Sequence, residues 1–234
     1  MLFLPIVLLC TVALVLSLSP RGGTAKSFGV GKVMNQKLDL ISSIASSFGG
    51  GGGGQSKQQL KSQILSLASS TNRGLTETGA QRAEMLSLFE KLEKQSPTKQ
   101  ALKSPLTAGT WYLRYTTSDS ILGKGGSPRV GEIVQVLDVQ GLKASNAETV
   151  QYGPFKVARK VKASLTPVGP SEVAVQFEEF SFAFPSAPPF LKVKAPASFK
   201  GRLDVTYIDN DLRLSRGDKG NIFVLEKSSD DTTL

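Results

Sequence analysis

The chain has 234 residues, of which 40% are hydrophobic, and it carries a formal net charge of +9. It contains no histidine, and its single cysteine, Cys10, lies in an apolar N-terminal stretch. This composition excludes a disulfide framework, the Ser-His and Cys-His nucleophile pairs and the usual zinc sites. A chain of this length can bury one good hydrophobic core. Catalysis by carboxylate, Lys or Tyr side chains remains open, but an enzyme is less expected, and we expect no metal or cofactor.

The first 54 residues have the composition of a targeting leader followed by a linker. Leu2–Leu18 is almost wholly apolar but short for a membrane span, which favours a signal peptide over residues 1–27. Residues 28–54 are Ser-rich and basic, like a transit peptide, and end in the six-glycine flexible linker Gly49–Gly54. With Phe28 at the junction, this arrangement resembles the two-part leader of proteins of secondary plastids. The alternative is an ordinary secreted or anchored protein.

Two amphipathic helices are predicted within residues 55–95. The apolar positions at helical spacing are Leu60, Ile64 and Leu67 in the first helix, and Met85, Leu88, Phe89 and Leu92 in the second. Thr78 and Gln81 form the capping box that begins the second helix, and Pro97 follows its end. We expect both apolar faces to pack on the main domain. The alternative is a separate pair of partner-binding helices.

From residue 108 the sequence has the alternation of short antiparallel strands. Turn signals recur roughly every ten residues with no helix between them, which predicts a mainly β fold, an antiparallel barrel of about eight strands over residues 108–227. The inward parity changes near Glu178-Glu179, and this predicts a bulge or bend there. Ile208, Phe223 and Leu225 fall on the predicted outer face, where packed helices would cover them.

Four stretches resemble the plastid lipid-associated protein (PAP/fibrillin) family. They are the helical opening SSTNRGLTETGAQRAEMLSLFEKLEKQSPT, the first strand GTWYLRYTTSDSIL, the second strand VGEIVQVLDV and the C-terminal VTYIDNDLRLSRGDKGNIFVL. The resemblance covers about residues 69–227. It implies a lipocalin-like β-barrel domain over residues 55–227, with residues 228–234 as a tail. It also implies a plastid location, at the plastoglobule, at the thylakoid surface or in the stroma.

The lipocalin-like architecture assigns a structural role to the start of the first strand. Gly109-Thr110-Trp111 matches the G-x-W opening of lipocalins. In that architecture the Trp packs across the base of the barrel against an Arg from a late strand, and Arg213 or Arg216 is the expected partner. A guanidinium over an indole face contributes about 0.5–2 kcal/mol.

The barrel interior is the first candidate lipid site. An eight-stranded barrel is just wide enough to hold one small apolar ligand. If Trp111 faces inward, the alternation predicts a lining of Leu113, Tyr115, Val175, Phe177, Val205 and Tyr207. The family resemblance implies carotenoids, quinones or other prenyl lipids as ligands. The alternative is that these side chains simply fill the interior.

The stretch Phe180–Lys200 is the second candidate, because it combines aromatics, prolines and lysines. It predicts a loop that dips Phe184 and Phe190 into a lipid monolayer while Lys192 and Lys194 meet anionic headgroups. The alternative is an ordinary loop that folds its aromatic side chains onto the barrel.

Three functions are compatible with this sequence. The leading one is a non-catalytic plastid protein that binds hydrophobic metabolites, coats plastoglobule or thylakoid lipid surfaces, or does both. The second is an accessory subunit of a prenyl-lipid enzyme, which an exposed apolar stripe on the first helix would favour. The third is an enzyme with Asp209, Asp211 and Asp218 as acids, but salt bridging to neighbouring basic residues explains these carboxylates more simply. Nucleic-acid binding is not expected, because the basic residues are not interleaved with aromatics on one sheet face.

Overall fold

A computed structural model of the protein describes residues 55–184 and 193–229. The predicted signal peptide, transit-peptide-like segment and glycine linker therefore lie outside the described residues, as do Phe190 and Lys192. The helices are α1 (Lys57–Ser70), α2 (Gly79–Glu93) and the short α3 (Asp119–Leu122), with 3₁₀ turns at Asn72–Gly74, Ala101–Lys103 and Pro105–Thr107. The strands are β1 (Gly109–Thr116), β2 (Arg129–Asp138), β3 (Lys143–Tyr152), β4 (Phe155–Pro167), β5 (Glu172–Ala183), β6 (Val193–Pro196), β7 (Lys200–Ile208), β8 (Leu212–Gly217) and β9 (Ile222–Lys227).

The strands form one antiparallel sheet in the order β4-β3-β2-β1-β9-β8-β7-β5-β6, and pairing of β4 with β5 closes it into a ring. Eight strands make the ring, while β6 pairs beside the second half of β5. The predicted mainly β, antiparallel, lipocalin-like barrel with two N-terminal helices is confirmed. We call the end with the β2–β3, β4–β5 and β7–β8 turns the base, and the end with the β3–β4 and β8–β9 turns the rim.

Bulges in two strands decide which side chains enter the barrel. The register of β1 against β9 shifts between Leu113 and Tyr115, and that of β7 against β8 shifts between Val205 and Tyr207. Each shift inserts one extra residue, which moves all later side chains to the other face. Tyr115 and Tyr207 therefore leave the interior and Ile208 enters it, which corrects the predicted faces of these three residues.

Strand β2 has a register shift between Val130 and Val134, and β5 has a bulge where the sequence predicted it. Lys162 lies opposite Glu179 but Ala163 lies opposite Phe177, so Glu178 is the extra residue. Phe180 lies opposite Val161 and thus shares the face of Phe177. The bulge keeps the apolar side chains of both halves of β5 on the same face of the sheet.

The helices α1 and α2 cover the outer face of β1, β7, β8 and β9. Their buried side chains are Leu60, Ile64, Ala68, Met85, Leu88, Phe89 and Leu92, and they pack on Tyr115, Tyr207, Leu212, Leu214, Ile222 and Val224. Full burial of a single Leu or Ile contributes about 1.5–3 kcal/mol. The two helices therefore share a core with the outer face of the barrel and do not form a separate partner-binding pair.

A second core fills the barrel. It contains Ala101, Trp111, Leu113, Ile133, Val205, Ile208 and Leu225, with Phe223 packed against it. The prediction that Ile208, Phe223 and Leu225 face outward is therefore wrong. Strand β9 is apolar on both faces because one face meets the helices and the other the interior, so alternation alone does not reveal its inward side.

Charged contacts fix both helices to the barrel. The Lys61 ammonium lies 2.8 Å from a carboxylate oxygen of Asp209 and also binds Asp211. Arg216 binds both carboxylate oxygens of Glu93 at 2.8 and 2.7 Å. Within the described part of the chain, no helix is long and apolar enough to cross a membrane.

Candidate functional site

Trp111 lies at the base of the barrel, fully buried beneath two cations. Its indole N–H donates to the Thr107 carbonyl at 3.1 Å. The Arg213 guanidinium lies 4.7 Å from the ring centre and the Lys227 ammonium lies 5.2 Å from it. The ammonium of Lys227 also donates to the Leu106 carbonyl at 2.9 Å. The 3₁₀ turns that precede β1 are thereby joined to the last strand across the base.

Of the two predicted arginine partners, Arg213 is the one that contacts Trp111. Arg216 lies on the outer face of the same strand, with its guanidinium 5.1 Å from the Phe89 ring and paired with Glu93. The hydrogen bonds to Glu93 raise the pKa of Arg216. The assignment of Arg216 to barrel closure is thus corrected, because neighbouring odd and even positions of a strand point to opposite faces.

Arg213 is a buried cation without a counterion. Among the described residues no carboxylate lies within ion-pair distance of it, and its Nε has no hydrogen-bond partner. One terminal nitrogen of its guanidinium donates to the Gln135 side-chain carbonyl. The Gln135 side-chain amide in turn donates to the Asn146 side-chain carbonyl at 2.9 Å. Burial lowers the pKa of Arg213 to about 9. The barrel therefore holds a positive charge and a short polar chain within an apolar wall.

A cavity of about 70 Å³ lies beside Arg213. Its lining is Leu102, Thr107, Gln135, Leu137, Val139, Leu142, Ala144, Asn146, Ala163, Leu165, Pro167, Val173, Val175, Leu203, Val205 and Arg213. A cavity of about 150 Å³ is needed to hold benzene, and pockets for drug-sized ligands measure roughly 300–1,000 Å³. In this conformation the cavity does not have room for a whole prenyl lipid.

The six predicted lining residues are divided between the barrel interior and the outer layer under the helices. Val175 and Val205 line the cavity. Leu113 belongs to the interior core, and Phe177 lies opposite the cavity residue Ala163 on β4, so it shares the interior face.

Tyr115 and Tyr207 pack instead under the helices, because the bulges in β1 and β7 turn them outward. The Tyr115 hydroxyl donates to Glu77 at 2.6 Å, and that of Tyr207 donates to Asp209. Burial and these carboxylates raise the pKa of both hydroxyls. Their predicted role as barrel lining is corrected.

The predicted acids Asp209 and Asp211 face α1 and not the cavity. Burial alone would raise the pKa of Asp209, but its hydrogen bonds to Asp211, Lys61 and other neighbours outweigh burial and hold that pKa below its usual range. Burial and the neighbouring Asp209 raise the pKa of Asp211. Asp218 accepts a hydrogen bond from the Arg202 backbone N–H at 3.2 Å. These carboxylates therefore join structural elements, as the simpler interpretation of the sequence expects.

An internal ion group, which the sequence pattern did not predict, lies between the cavity and the rim. The Arg129 Nε lies 2.6 Å from Glu148, and Arg159 binds the same carboxylate. Glu148 and Arg159 share the faces of the cavity residues Asn146 and Ala163, so the group lies inside the barrel. Burial lowers the pKa of Arg129. The one signal of this group in the sequence is that Glu148 lies directly opposite Arg159 on β3 and β4. That pairing is known only once the register of the two strands is known.

The rim carries exposed apolar side chains. Phe155, at the β3–β4 turn, is 59% exposed and Val193, at the start of β6, is 41% exposed. Phe184 at the end of β5 is partly exposed, and it precedes the segment that holds Phe190. We call Phe155, Phe184 and Val193 the rim patch. Phe155 was missed from the sequence, although an aromatic directly after the Gly153-Pro154 turn was the available signal.

Beside the rim patch, the outer face of β4 and β6 is basic. We call Lys156, Lys160, Lys162 and Lys194 the lysine face; they alternate with inward-facing side chains on these strands. Two glutamates lie beside them: Glu179, 3.3 Å from the exposed Lys194 ammonium, and Glu178, which pairs with Lys143. The excess of lysine leaves this face positively charged.

Comparison with known proteins gives a consistent result. The PAP_fibrillin family model matches residues 58–226. A probable plastid-lipid-associated protein 5 (chloroplastic) from Arabidopsis thaliana is 35% identical over 182 residues, 76% of this chain and 73% of the relative. A probable plastid-lipid-associated protein 3 (chloroplastic) from Oryza sativa is 28% identical over 73% of this chain, which spans 59% of that relative's length. A chromoplast-specific carotenoid-associated protein C1 from an Oncidium hybrid is 26% identical over 72% of this chain and 68% of the relative. No solved structure matches the chain.

Proposed function

The chain belongs to the PAP_fibrillin family, and from this premise we propose that it is a non-catalytic plastid protein that binds lipid surfaces through the rim of its barrel. The names of the relatives support association with lipids and with plastids. The observation that carries the choice of surface is the rim patch beside the lysine face. Plastoglobules and thylakoid membranes are the plastid surfaces that fit this proposal.

The apolar contribution comes from side chains that the fold leaves in water. Phe155 and Val193 are among the five large hydrophobic side chains that are most exposed in the described residues. Moving a Phe side chain fully out of water contributes about 1.5–3 kcal/mol. Insertion of the rim patch into the headgroup and acyl boundary would therefore be favourable for the side chains that pack least against the barrel.

The electrostatic contribution comes from the lysine face. Each basic residue near an anionic leaflet contributes about 1 kcal/mol. The four lysines lie on β4 and β6, the strands that begin at Phe155 and Val193 of the rim patch. Headgroup contact and apolar insertion are therefore compatible in one orientation. This placement supports the predicted membrane contact of Phe184 and Lys194 and adds Phe155, Val193 and three lysines to it.

The small interior cavity favours surface binding over carriage of a whole carotenoid, quinone or other prenyl lipid. The cavity holds about 70 Å³, far less than such a molecule needs. Carriage of these metabolites would require the interior core to open.

The two other candidate functions have less structural support. A partner-binding stripe on α1 requires exposed apolar residues, but Leu60 and Ile64 are fully buried between α1 and the barrel, and Leu67 is partly buried against the same core. The accessory subunit of a prenyl-lipid enzyme would therefore need another surface. Catalysis by the carboxylates of the β7–β8 turn has little support, because Asp209 faces α1 and is engaged by Lys61 and Tyr207.

The domain organisation remains part of the proposal. Residues 55–227 form the lipid-associated domain, with helices over 55–95 and the barrel over 108–227, and residues 228–234 form a tail. Residues 1–27 are a signal peptide and residues 28–54 a transit-peptide-like segment and linker, which together would address a secondary plastid. Detection of the processed N-terminus in the mature protein tests these boundaries.

Flotation with vesicles tests surface binding. Residues 55–234 are mixed with vesicles of phosphatidylcholine alone or with an anionic phospholipid, and the bound fraction is measured after centrifugation. Phe155→Ser removes about 2 kcal/mol of apolar transfer, so the partition coefficient should fall about 30-fold. Lys156→Gln with Lys160→Gln and Lys162→Gln should weaken binding to anionic vesicles about 100-fold and leave binding to neutral vesicles unchanged.

A matched control lies at the other end of the barrel. Leu142 is 42% exposed at the base, so Leu142→Ser makes a similar change in exposed apolar surface away from the rim. We expect its partition coefficient to equal that of the unmodified protein. Equal loss of binding for Leu142→Ser and Phe155→Ser, or no flotation of the unmodified protein, would contradict the proposal.

A further inference from the structure

We propose that the base of the barrel contains a specific site for the carboxylate end of an acyl chain, with Arg213 as the residue that binds the carboxylate. This inference concerns one bound molecule inside the barrel and does not depend on binding of the rim to lipid surfaces. The site is built from the cavity, the buried guanidinium beside it and the route from the cavity to the surface.

The Arg213 guanidinium carries a buried charge that needs a counterion. Arg213 is 1% exposed, and it ion-pairs with no carboxylate in the described part of the chain. A buried charge without a counterion is strongly unfavourable, because desolvation is not offset by pairing. The cation–π contact with Trp111 and the hydrogen bond to Gln135 offset only part of it, since Nε remains without a partner. An anion in the adjacent cavity would supply the missing counterion.

The hydrogen-bonding groups of Arg213 determine which type of ligand group can bind there. A guanidinium has five N–H donors and no acceptor, so it requires oxygen acceptors on the ligand. A carboxylate provides two such oxygens and the opposite charge in a geometry that matches the guanidinium fork. The Gln135 side-chain carbonyl accepts from one terminal nitrogen of Arg213, while the Nε donor has no partner among the described residues.

The volume of the cavity limits the size of the group that it can hold. A benzene ring, with its six heavy atoms, fits in a cavity of about 150 Å³, so about 70 Å³ holds about three heavy atoms, the number in a carboxylate group. The rest of a longer acid must therefore leave the cavity. Leu142 lines the cavity and is also 42% exposed, so we place the exit of the chain at the β2–β3 turn. Apolar side chains surround that route, namely Leu102, Leu137 and Val139, which suits an alkyl stem.

Trp111 provides a direct probe, because it is the single tryptophan of the chain and lies in contact with Arg213. The delipidated full-length protein is titrated with decanoate and, separately, with decanol, below the concentrations at which either forms micelles. We expect a saturable change in tryptophan emission with decanoate and at least tenfold weaker binding of decanol. No saturable change with decanoate, or equal affinity for decanol, would overturn the proposal.

Two variants test the site itself. Arg213→Gln should abolish the preference for decanoate over decanol. Ala163→Leu adds three carbon atoms, the capacity of the cavity, and should weaken decanoate binding at least tenfold while leaving Arg213 in place; it decides the question if Arg213→Gln does not fold. Arg216→Gln, on the outer face of the same strand, is the control and should bind decanoate as the unmodified protein does. Unchanged binding by Ala163→Leu would overturn the proposal.

Discussion

Replacement of Lys61 by Met tests whether α1 is an integral part of the barrel domain. The side chain of Lys61 is 9% exposed and pairs with Asp209, whose side chain is 22% exposed. Removing one partner of a fully buried pair costs about 3–5 kcal/mol. Asp209 is partly in contact with water and keeps its hydrogen bonds from Tyr207 and the Leu212 amide, so we expect a loss of about 1–3 kcal/mol in the free energy of unfolding.

The loss is measured by urea unfolding of residues 55–234, followed by Trp111 fluorescence. Lys57→Met is the matched control, one turn earlier on the same helix with its side chain exposed, and it should leave the midpoint within the scatter of a surface substitution. A double-mutant cycle with Asp209→Asn isolates the coupling energy, for which we expect about 1–2 kcal/mol. A coupling energy near zero would refute the argument that this ion pair fixes α1 to the β7–β8 turn.

Two further predictions concern the same layer of the molecule. The pKa of Tyr115 and of Tyr207 is raised by burial and by their carboxylate partners, so each hydroxyl contributes stability that is present below about pH 10 and is lost as pH rises further. Urea unfolding between pH 9 and 11 should show this loss, and Tyr207→Phe should reduce its slope. Gly74→Ala should destabilise the domain by at least 1 kcal/mol, because Gly74 has φ +97° and an added Cβ would lie 2.7 Å from the Thr116 carbonyl oxygen; an unchanged midpoint would contradict this.

Most of the architecture follows from the sequence pattern. The helical faces with Ile64 and Phe89, the period-2 strands and the parity change at Glu178 all come from local alternation that burial enforces. The Gly-x-Trp opening correctly places Trp111 at a buried position with an arginine against its ring. These features are predictable because one face of each element meets water and the other does not.

The inward set of side chains was harder to predict, for a physical reason. One face of strands β1 and β7 packs against the helices and the other faces the interior of the barrel. Apolar residues therefore occur on both faces. Alternation then carries no signal for a one-residue bulge, and the predicted positions of Tyr115 and Tyr207 were wrong. The bulge at Glu178 was visible because the parity of the apolar residues changes there, from Val175 and Phe177 before it to Phe180 after it.

The candidate site depended on long-range placement. Arg213 reaches Gln135 across the barrel, a pair 78 residues apart in the chain, and no local pattern encodes that contact. Likewise, Phe155 becomes a rim residue only because the β3–β4 turn ends there. The sequence showed which residues had suitable chemistry, while the closure of the sheet determined which of them came together.

Depth-dependent quenching tests the central claim most directly. A tryptophan is placed at the rim by Phe155→Trp or at the base by Leu142→Trp, and each variant is mixed with anionic vesicles whose acyl chains carry bromine. Trp111 is fully buried and gives the same background in both. If the rim inserts about 5–10 Å into the headgroup and acyl boundary, emission from position 155 will be quenched and shifted to the blue, and emission from position 142 will not change. Equal quenching at both positions, or quenching at position 142 alone, would contradict lipid binding through the rim.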